Sequence, residues 1–206
     1  MRATSTLTST NPTAIDPQED PAVDVEDIRS DLTEVLVTEH EIHAKLAELA
    51  RRVEADYGDN PPLLVGVLKG AVMVMADFAR ELAVHVEMDW MAVSSYGAST
   101  ESSGVVRILK DLDTDIAGRD VLIVEDIIDS GLTLSWLRAN LESRGAKSVK
   151  ILALLRKPEA AKVQVDVEYV GFDIPREFVV GYGLDYAEKY RNLRAVGVLA
   201  PHVYSD

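Results

Sequence analysis

One stretch in the middle of the chain, Val121-Leu-Ile-Val-Glu125-Asp126-Ile-Ile-Asp129-Ser130-Gly131-Leu132-Thr133, concentrates side chains suited to chemistry. An apolar run ends in three carboxylates and a Ser/Gly/Thr turn. Carboxylates accept hydrogen bonds from hydroxyls, so Glu125 and Asp126 suit a ribose diol. The backbone N–H groups of residues about 130 to 133, with the Ser130 and Thr133 hydroxyls, can surround a phosphate at the positive end of a helix. The pattern reads as a site for a phosphorylated sugar. The same residue types also serve a solvated acidic turn before a Ser-capped helix. A receiver-type signalling domain likewise has Ile-Val-Glu-Asp after a strand. That fold puts the strand near its start, whereas about 90 structured residues precede it here.

The elements that must position this stretch follow from periodicity. Thr38 and Glu41 form a capping-box pair, and Ile42, Leu46, Leu49 and Val53 share one face, which predicts a helix from about Glu39 to Tyr57 stopped by Gly58. Pro62-Leu-Leu-Val-Gly-Val-Leu68 is a continuous apolar run typical of a strand buried on both faces. A helix containing Val72, Met75, Phe78, Ala79 and Leu82 comes next, then a strand near Val86 to Val93. The same grammar recurs as strand Asp120 to Glu125, helix Leu132 to Arg144 and strand Ser148 to Leu155. Alternation of this kind predicts an α/β fold with a central, mostly parallel sheet flanked by helices. The final third has strand signals at Val165 to Val170 and Phe178 to Tyr182 but little helix, and predicts a small subdomain folding back over the sheet.

Composition bounds the function. The 206 residues suffice for one domain, read as residues 31–206, behind a Thr/Ser- then Pro/Asp/Glu-rich segment, residues 1–30, read as a disordered tail. Twenty-one basic against 35 acidic residues leave a net charge of -14, which argues against nucleic-acid or anionic-membrane partners. There is no cysteine, so disulfides, thiolate metal sites and a cysteine nucleophile are excluded. No apolar run approaches the roughly 20 residues that span a bilayer, and a cytoplasmic location is expected. His40, His43, His85 and His202 do not make a metal site.

The central stretch resembles the phosphoribosyl-pyrophosphate signature of type I phosphoribosyltransferases, and its Glu-Asp-Ile-Ile-Asp-Ser-Gly run resembles the hypoxanthine-guanine branch. The likeness extends in order through Leu68-Lys69-Gly70, Ser94-Ser95-Tyr96-Gly97, Leu154-Leu155-Arg156-Lys157 and Val170-Gly171-Phe172-Asp173-Ile174-Pro175. It continues from Phe178 through Tyr186 to Arg191, and so covers roughly residues 35 to 200. The resemblance implies the type I phosphoribosyltransferase fold, with a small hood formed mainly by the C-terminal segment. It implies transfer of a phosphoribosyl group from phosphoribosyl pyrophosphate to hypoxanthine or guanine, with Mg2+ as cofactor. Transfer to xanthine or a pyrimidine, or a non-catalytic sensor of the sugar diphosphate, remain alternatives.

The resemblance also assigns roles. Asp129 becomes the acid/base at purine N7. Glu125, Asp126, Ser130, Gly131, Leu132 and Thr133 hold ribose and phosphate, Leu132 standing where some relatives carry Lys. Lys69, Gly70 and Arg191 take pyrophosphate, and the family usually holds the Leu68–Lys69 bond cis. Ser95 and Tyr96 belong to a lid, although an exposed hairpin fits their composition as well. Lys157, otherwise a snorkelling surface lysine, donates to the purine 6-oxygen; adenine would oppose donor to donor there. Phe178 stacks on the base and the Val179 backbone bonds its edge. Asp185, with Glu125 and Asp126, forms the metal set. A homo-oligomer, dimer or tetramer, is expected, with an exposed apolar patch near Met73 and Met75 to suit it.

Overall fold

A computed structural model describes residues 25–95 and 106–205. The tail reading falls mostly on residues outside that range. Residues 25–30, read as tail, belong to a 3-10 helix, Val25–Asp31. It leads into strand β1, Leu32–Val37, then helix α1, Glu39–Tyr57, strand β2, Leu63–Leu68, helix α2, Val72–Glu81, and strands β3, Met88–Ser95, and β4, Val106–Lys110. Strand β5, Asp120–Ile128, helix α3, Leu132–Ser143, strand β6, Ser148–Arg156, and strands β7, Tyr169–Asp173, β8, Val179–Val180, and β9, Val196–Leu199, follow, with a short helix α4, Pro201–Tyr204.

Local chemistry explains the boundaries. Thr38 N–H donates to Glu41 Oε2 at 2.9 Å and Glu41 N–H donates to Thr38 Oγ1 at 3.3 Å, closing the capping box that starts α1. Gly58, at φ 56, ends it. Strand β5 continues past Glu125 to Ile128 because β6 supplies partners to the end, Ile127 opposite Leu155 and Ile128 opposite Arg156. Three strands were not anticipated: β1, β4 and β9. Strands β1 and β4 are half-exposed and gain their order from partners far along the chain or from a hairpin neighbour.

The main sheet has the order β4-β3-β2-β5-β6-β7, parallel except for the antiparallel β3–β4 pair. Leu64, Leu122, Val124, Leu152 and Leu154 point to the face covered by α1, α2 and the second, three-stranded sheet β1-β9-β8. Leu63, Val65, Val121, Ile123 and Ile151 point to the face covered by α3. Both faces are thus buried, which is why these strands read as continuous apolar runs. The apolar surface expected near Met73 and Met75 is not there: Met75 is fully buried and Met73 packs against the core. The period-3.6 face that carries Met75 is the face α2 turns toward the sheet.

From β2 the chain crosses to β3 on one side, and from β5 it crosses to β6 on the other. The carboxyl ends of the adjacent strands β2 and β5 therefore flank a topological switch point, where open α/β sheets bind ligands. Ile123, with no exposed surface, lies in the central strand beneath α3. Ile123→Ala is expected to lower stability by about 2–5 kcal/mol, seen as a lower urea midpoint with an unchanged slope.

Candidate active site

Two connected cavities open at the switch point. One, about 410 Å³, is bounded by Lys69 and Gly70 after β2, by Glu125, Asp126 and Asp129 from β5, by Lys157, and by Phe178, Val179, Asp185 and Arg191. The other, about 200 Å³, runs from Glu125 and Asp129 to Ser130, Gly131 and Thr133. Val67, Glu125, Ile127 and Asp129 line both. A larger hollow of about 480 Å³ lies beyond Asp129 and Lys157 along the segment from Val163 to Glu168, and neither Glu125 nor Asp126 lines it.

The smaller cavity ends on a helix N-terminus. Gly131 is the N-cap of α3, in the left-handed region at φ 77, and no side chain caps the helix. The first-turn N–H groups are thus left to a ligand, where the helix dipole favours an anion. The Ser130 hydroxyl is only loosely engaged, 3.5 Å from the Leu132 N–H. Leu132 is absent from the cavity lining and can contribute its N–H alone.

Between the cavities sit the carboxylates of β5. Desolvation in the protein pushes the Glu125 carboxyl well above its usual range, and the neighbouring Asp126 charge adds to this. Burial likewise raises Asp126 to about 6, against a hydrogen bond from the Ile127 N–H at 2.8 Å and the attraction of Arg191. Both keep some surface open to the cavity but are enclosed on their other sides. The backbone of the loop after β2 lies directly on them: a Cβ placed on Gly70 would fall on the Asp126 carboxylate. The Leu68–Lys69 peptide is cis.

Around the larger cavity, Lys157 is 8 % exposed and its Nζ donates to Asp129 Oδ2 at 3.2 Å, while the Asp129 side chain is 60 % exposed. Their 28-residue separation hid this pairing in the sequence. Phe178 is 42 % exposed, and its ring meets Tyr186 in a T-shaped pair and Tyr204 in a tilted one, at centroid distances of 5.9 and 5.3 Å. The Leu199 N–H donates to the Phe178 carbonyl, and Val179 is the residue opposite Val198. In an antiparallel ladder the next residue's N–H and C=O point the other way. Those of Val179 consequently face the open edge of the small sheet.

Arg191 donates from Nη1 to the Gly183 carbonyl at 2.7 Å and pairs through Nη2 with Asp185 at 2.8 Å. Among the described residues, no group of three His, Asp or Glu side chains is placed to hold a metal ion. Glu125, Asp126 and Asp185 are therefore not a ready-made cage. Ser95 ends β3 and Tyr96 lies outside the described residues. Sequence reasoning passed over Val67, Ile127 and Leu184, which line the larger cavity, because apolar side chains between named polar ones carry no signal of their own.

Comparison with known proteins shows the family. The model of the phosphoribosyl transferase domain matches residues 34–187, and the chain belongs to that family. Within it the relatives are of the hypoxanthine-guanine branch. The chain is 56% identical over 180 residues to the hypoxanthine-guanine phosphoribosyltransferase of Mycobacterium tuberculosis, covering 84% of this chain and 89% of that one. It is 54% identical over 179 residues to the Bacillus subtilis enzyme of the same name, covering 87% and 99%. A crystal structure of a hypoxanthine phosphoribosyltransferase from Staphylococcus aureus superposes with a TM-score of 0.84 at 47% identity, covering 87% of this chain and 97% of that one.

The raised carboxyls tie stability to pH. Asp126 holds its proton in the folded state up to about pH 6, whereas an unfolded aspartate releases it near 4. Its contribution is thus fully present below pH 4 and lost as pH rises through about 6. Asp126→Asn is expected to stabilise the ligand-free protein at pH 7.5 by about 1–3 kcal/mol and to flatten its melting temperature between pH 4.5 and 7. Thermal denaturation across that range checks both.

Proposed function

We infer that this protein transfers the 5-phosphoribosyl group of phosphoribosyl pyrophosphate to N9 of hypoxanthine or guanine, forming the nucleoside monophosphate and pyrophosphate, as its named relatives do. The observation that carries the reading is the bonded Lys157–Asp129 pair, located where the phosphate cavity joins the cavity of Phe178 and Val179. One end suits a phosphate, the other a flat heterocycle, and an acid/base group stands between them.

The roles follow from the chemistry of each group. The α3 N-terminus with Ser130 and Thr133 binds the 5-phosphate, and Glu125 and Asp126 accept the ribose hydroxyls. Lys69, the Gly70 backbone and Arg191 receive the diphosphate. The purine lies on Phe178, presents its edge to the Val179 backbone, and accepts at its 6-oxygen from Lys157. As N9 bonds to ribose carbon 1, the bond to the diphosphate oxygen breaks and its electron pair leaves with pyrophosphate. The proton on N7 of the attacking purine passes to Asp129, whose carboxylate Lys157 holds in place.

Mg2+ fits this site as a substrate-borne ion, since it commonly takes one or two carboxylates plus phosphate oxygens in place of a full protein cage. Asp185 is the residue to hold it, with Glu125 and Asp126 nearby at the ribose. When bound it neutralises diphosphate charge, which a chain of net charge -14 cannot do with side chains alone.

Loss of hypoxanthine absorbance, followed with Mg2+ and phosphoribosyl pyrophosphate, tests the activity; no nucleotide at high enzyme concentration overturns it. Asp129→Asn is expected to cut kcat by about 10²- to 10⁴-fold while leaving phosphoribosyl pyrophosphate binding nearly intact by calorimetry. Unchanged turnover would remove Asp129 from the acid/base role.

A further inference from the structure

The loop between β8 and β9 holds a contact that the reaction leaves unexplained. Glu188 Oε2 lies 3.1 Å from Lys69 Nζ and 3.3 Å from Arg191 Nη2. One carboxylate oxygen thus sits between two cations that come from distant parts of the chain, and these are the side chains assigned above to the diphosphate. The loop holds Glu188 in position. Its N–H donates to Asp185 Oδ2 at 2.9 Å, and its backbone is left-handed at φ 64, as are Ala187 at 51 and Tyr190 at 73. A bridge between Tyr186 and Lys189 closes the turn. The side chains can still part, because Lys69 and Glu188 are 65 % and 64 % exposed.

A carboxylate oxygen and a phosphate oxygen make the same demand on an ammonium and a guanidinium: a short, charge-assisted hydrogen bond. The N–H groups that Glu188 occupies are therefore not free for a diphosphate oxygen at the same time. With a bound diphosphate, Glu188 would stand against an anion rather than between cations.

We propose that Glu188 is a built-in competitor for the diphosphate cations: it pairs Lys69 and Arg191 in the ligand-free enzyme and must release them to the substrate. The inference rests on the function proposed above. It assigns Glu188 the task of holding down affinity for the diphosphate moiety, which favours release of pyrophosphate after transfer. Because the pair with Lys69 is solvent-exposed, the effect is modest, about two- to fivefold in Kd.

Calorimetric titration of the full-length protein with pyrophosphate in the presence of Mg2+ tests this. Glu188→Gln keeps the side-chain size but removes the charge, and is expected to bind pyrophosphate about two- to fivefold more tightly than the unmodified protein. Glu142→Gln makes the same change in net charge at the exposed far end of α3, and is expected to leave the Kd unchanged. A support role, in which Glu188 orients the two cations, predicts the opposite sign, so weaker or equal binding by Glu188→Gln overturns the proposal. A gain shared by Glu142→Gln overturns it too, as an effect of overall charge. If the unmodified protein binds pyrophosphate, these outcomes bear on Glu188 alone; if it binds none, the proposed function falls and this inference with it.

Discussion

Two loops and the end of a central strand meet at one point in this molecule, with no room between them. A Cβ on Gly70 would overlap the Asp126 carboxylate, and a Cβ on Gly183 would overlap the Gly70 carbonyl. The loop after β2 is therefore packed between the end of β5 and the loop that follows β8. The contact is possible because β2 and β5 are neighbours whose connections leave in opposite directions, which opens the crevice at their carboxyl ends. The cavities, the approach of Lys69 and Arg191, and the seating of the small sheet over the large one all depend on this junction.

Electrostatics at the junction runs against the composition. The chain carries an excess of carboxylates, yet the function proposed for it requires an anionic sugar diphosphate to bind. The structure softens the conflict locally. Burial raises the Glu125 and Asp126 carboxyls, so each holds its proton more tightly than an exposed carboxyl would. The uncapped α3 N-terminus offers oriented N–H groups in place of cationic side chains. The cations that line the larger cavity are all paired: Lys69 with Glu188, Arg191 with Asp185 and Glu188, and Lys157 with Asp129. On the function and the exchange proposed above, a ligand anion would enter an arrangement of compensated charge and displace a carboxylate already there.

The sequence was legible wherever the signal is local. The capping box at Thr38 and Glu41, the buried apolar runs of β2, β5 and β6, and the glycine turn before α3 each follow from neighbouring residues. Strands β1 and β9 were not legible, because each exists by pairing with the other across most of the chain: Leu32 opposite Leu199, Val35 opposite Gly197. The patch expected at Met73 and Met75 failed for a related reason. Which side of an amphipathic helix is buried depends on what packs there, and α1 and the small sheet share that face of the main sheet with α2.

By itself, the sequence determined the residue types and their order: an acidic strand end, a Ser/Gly/Thr turn, a lysine after β6, an aromatic and an acid near the C-terminus. Those follow from short-range chemistry and from resemblance. The tertiary structure alone decided which of them touch. It bonded Lys157 to Asp129, turned the Val179 backbone toward an open sheet edge, and set Glu188 between Lys69 and Arg191. The stretch from Val121 to Thr133 named the ligand class, but long-range strand pairing and close glycine contacts built the cavities around it, because distances between residues remote in the chain are set only when the sheets pack.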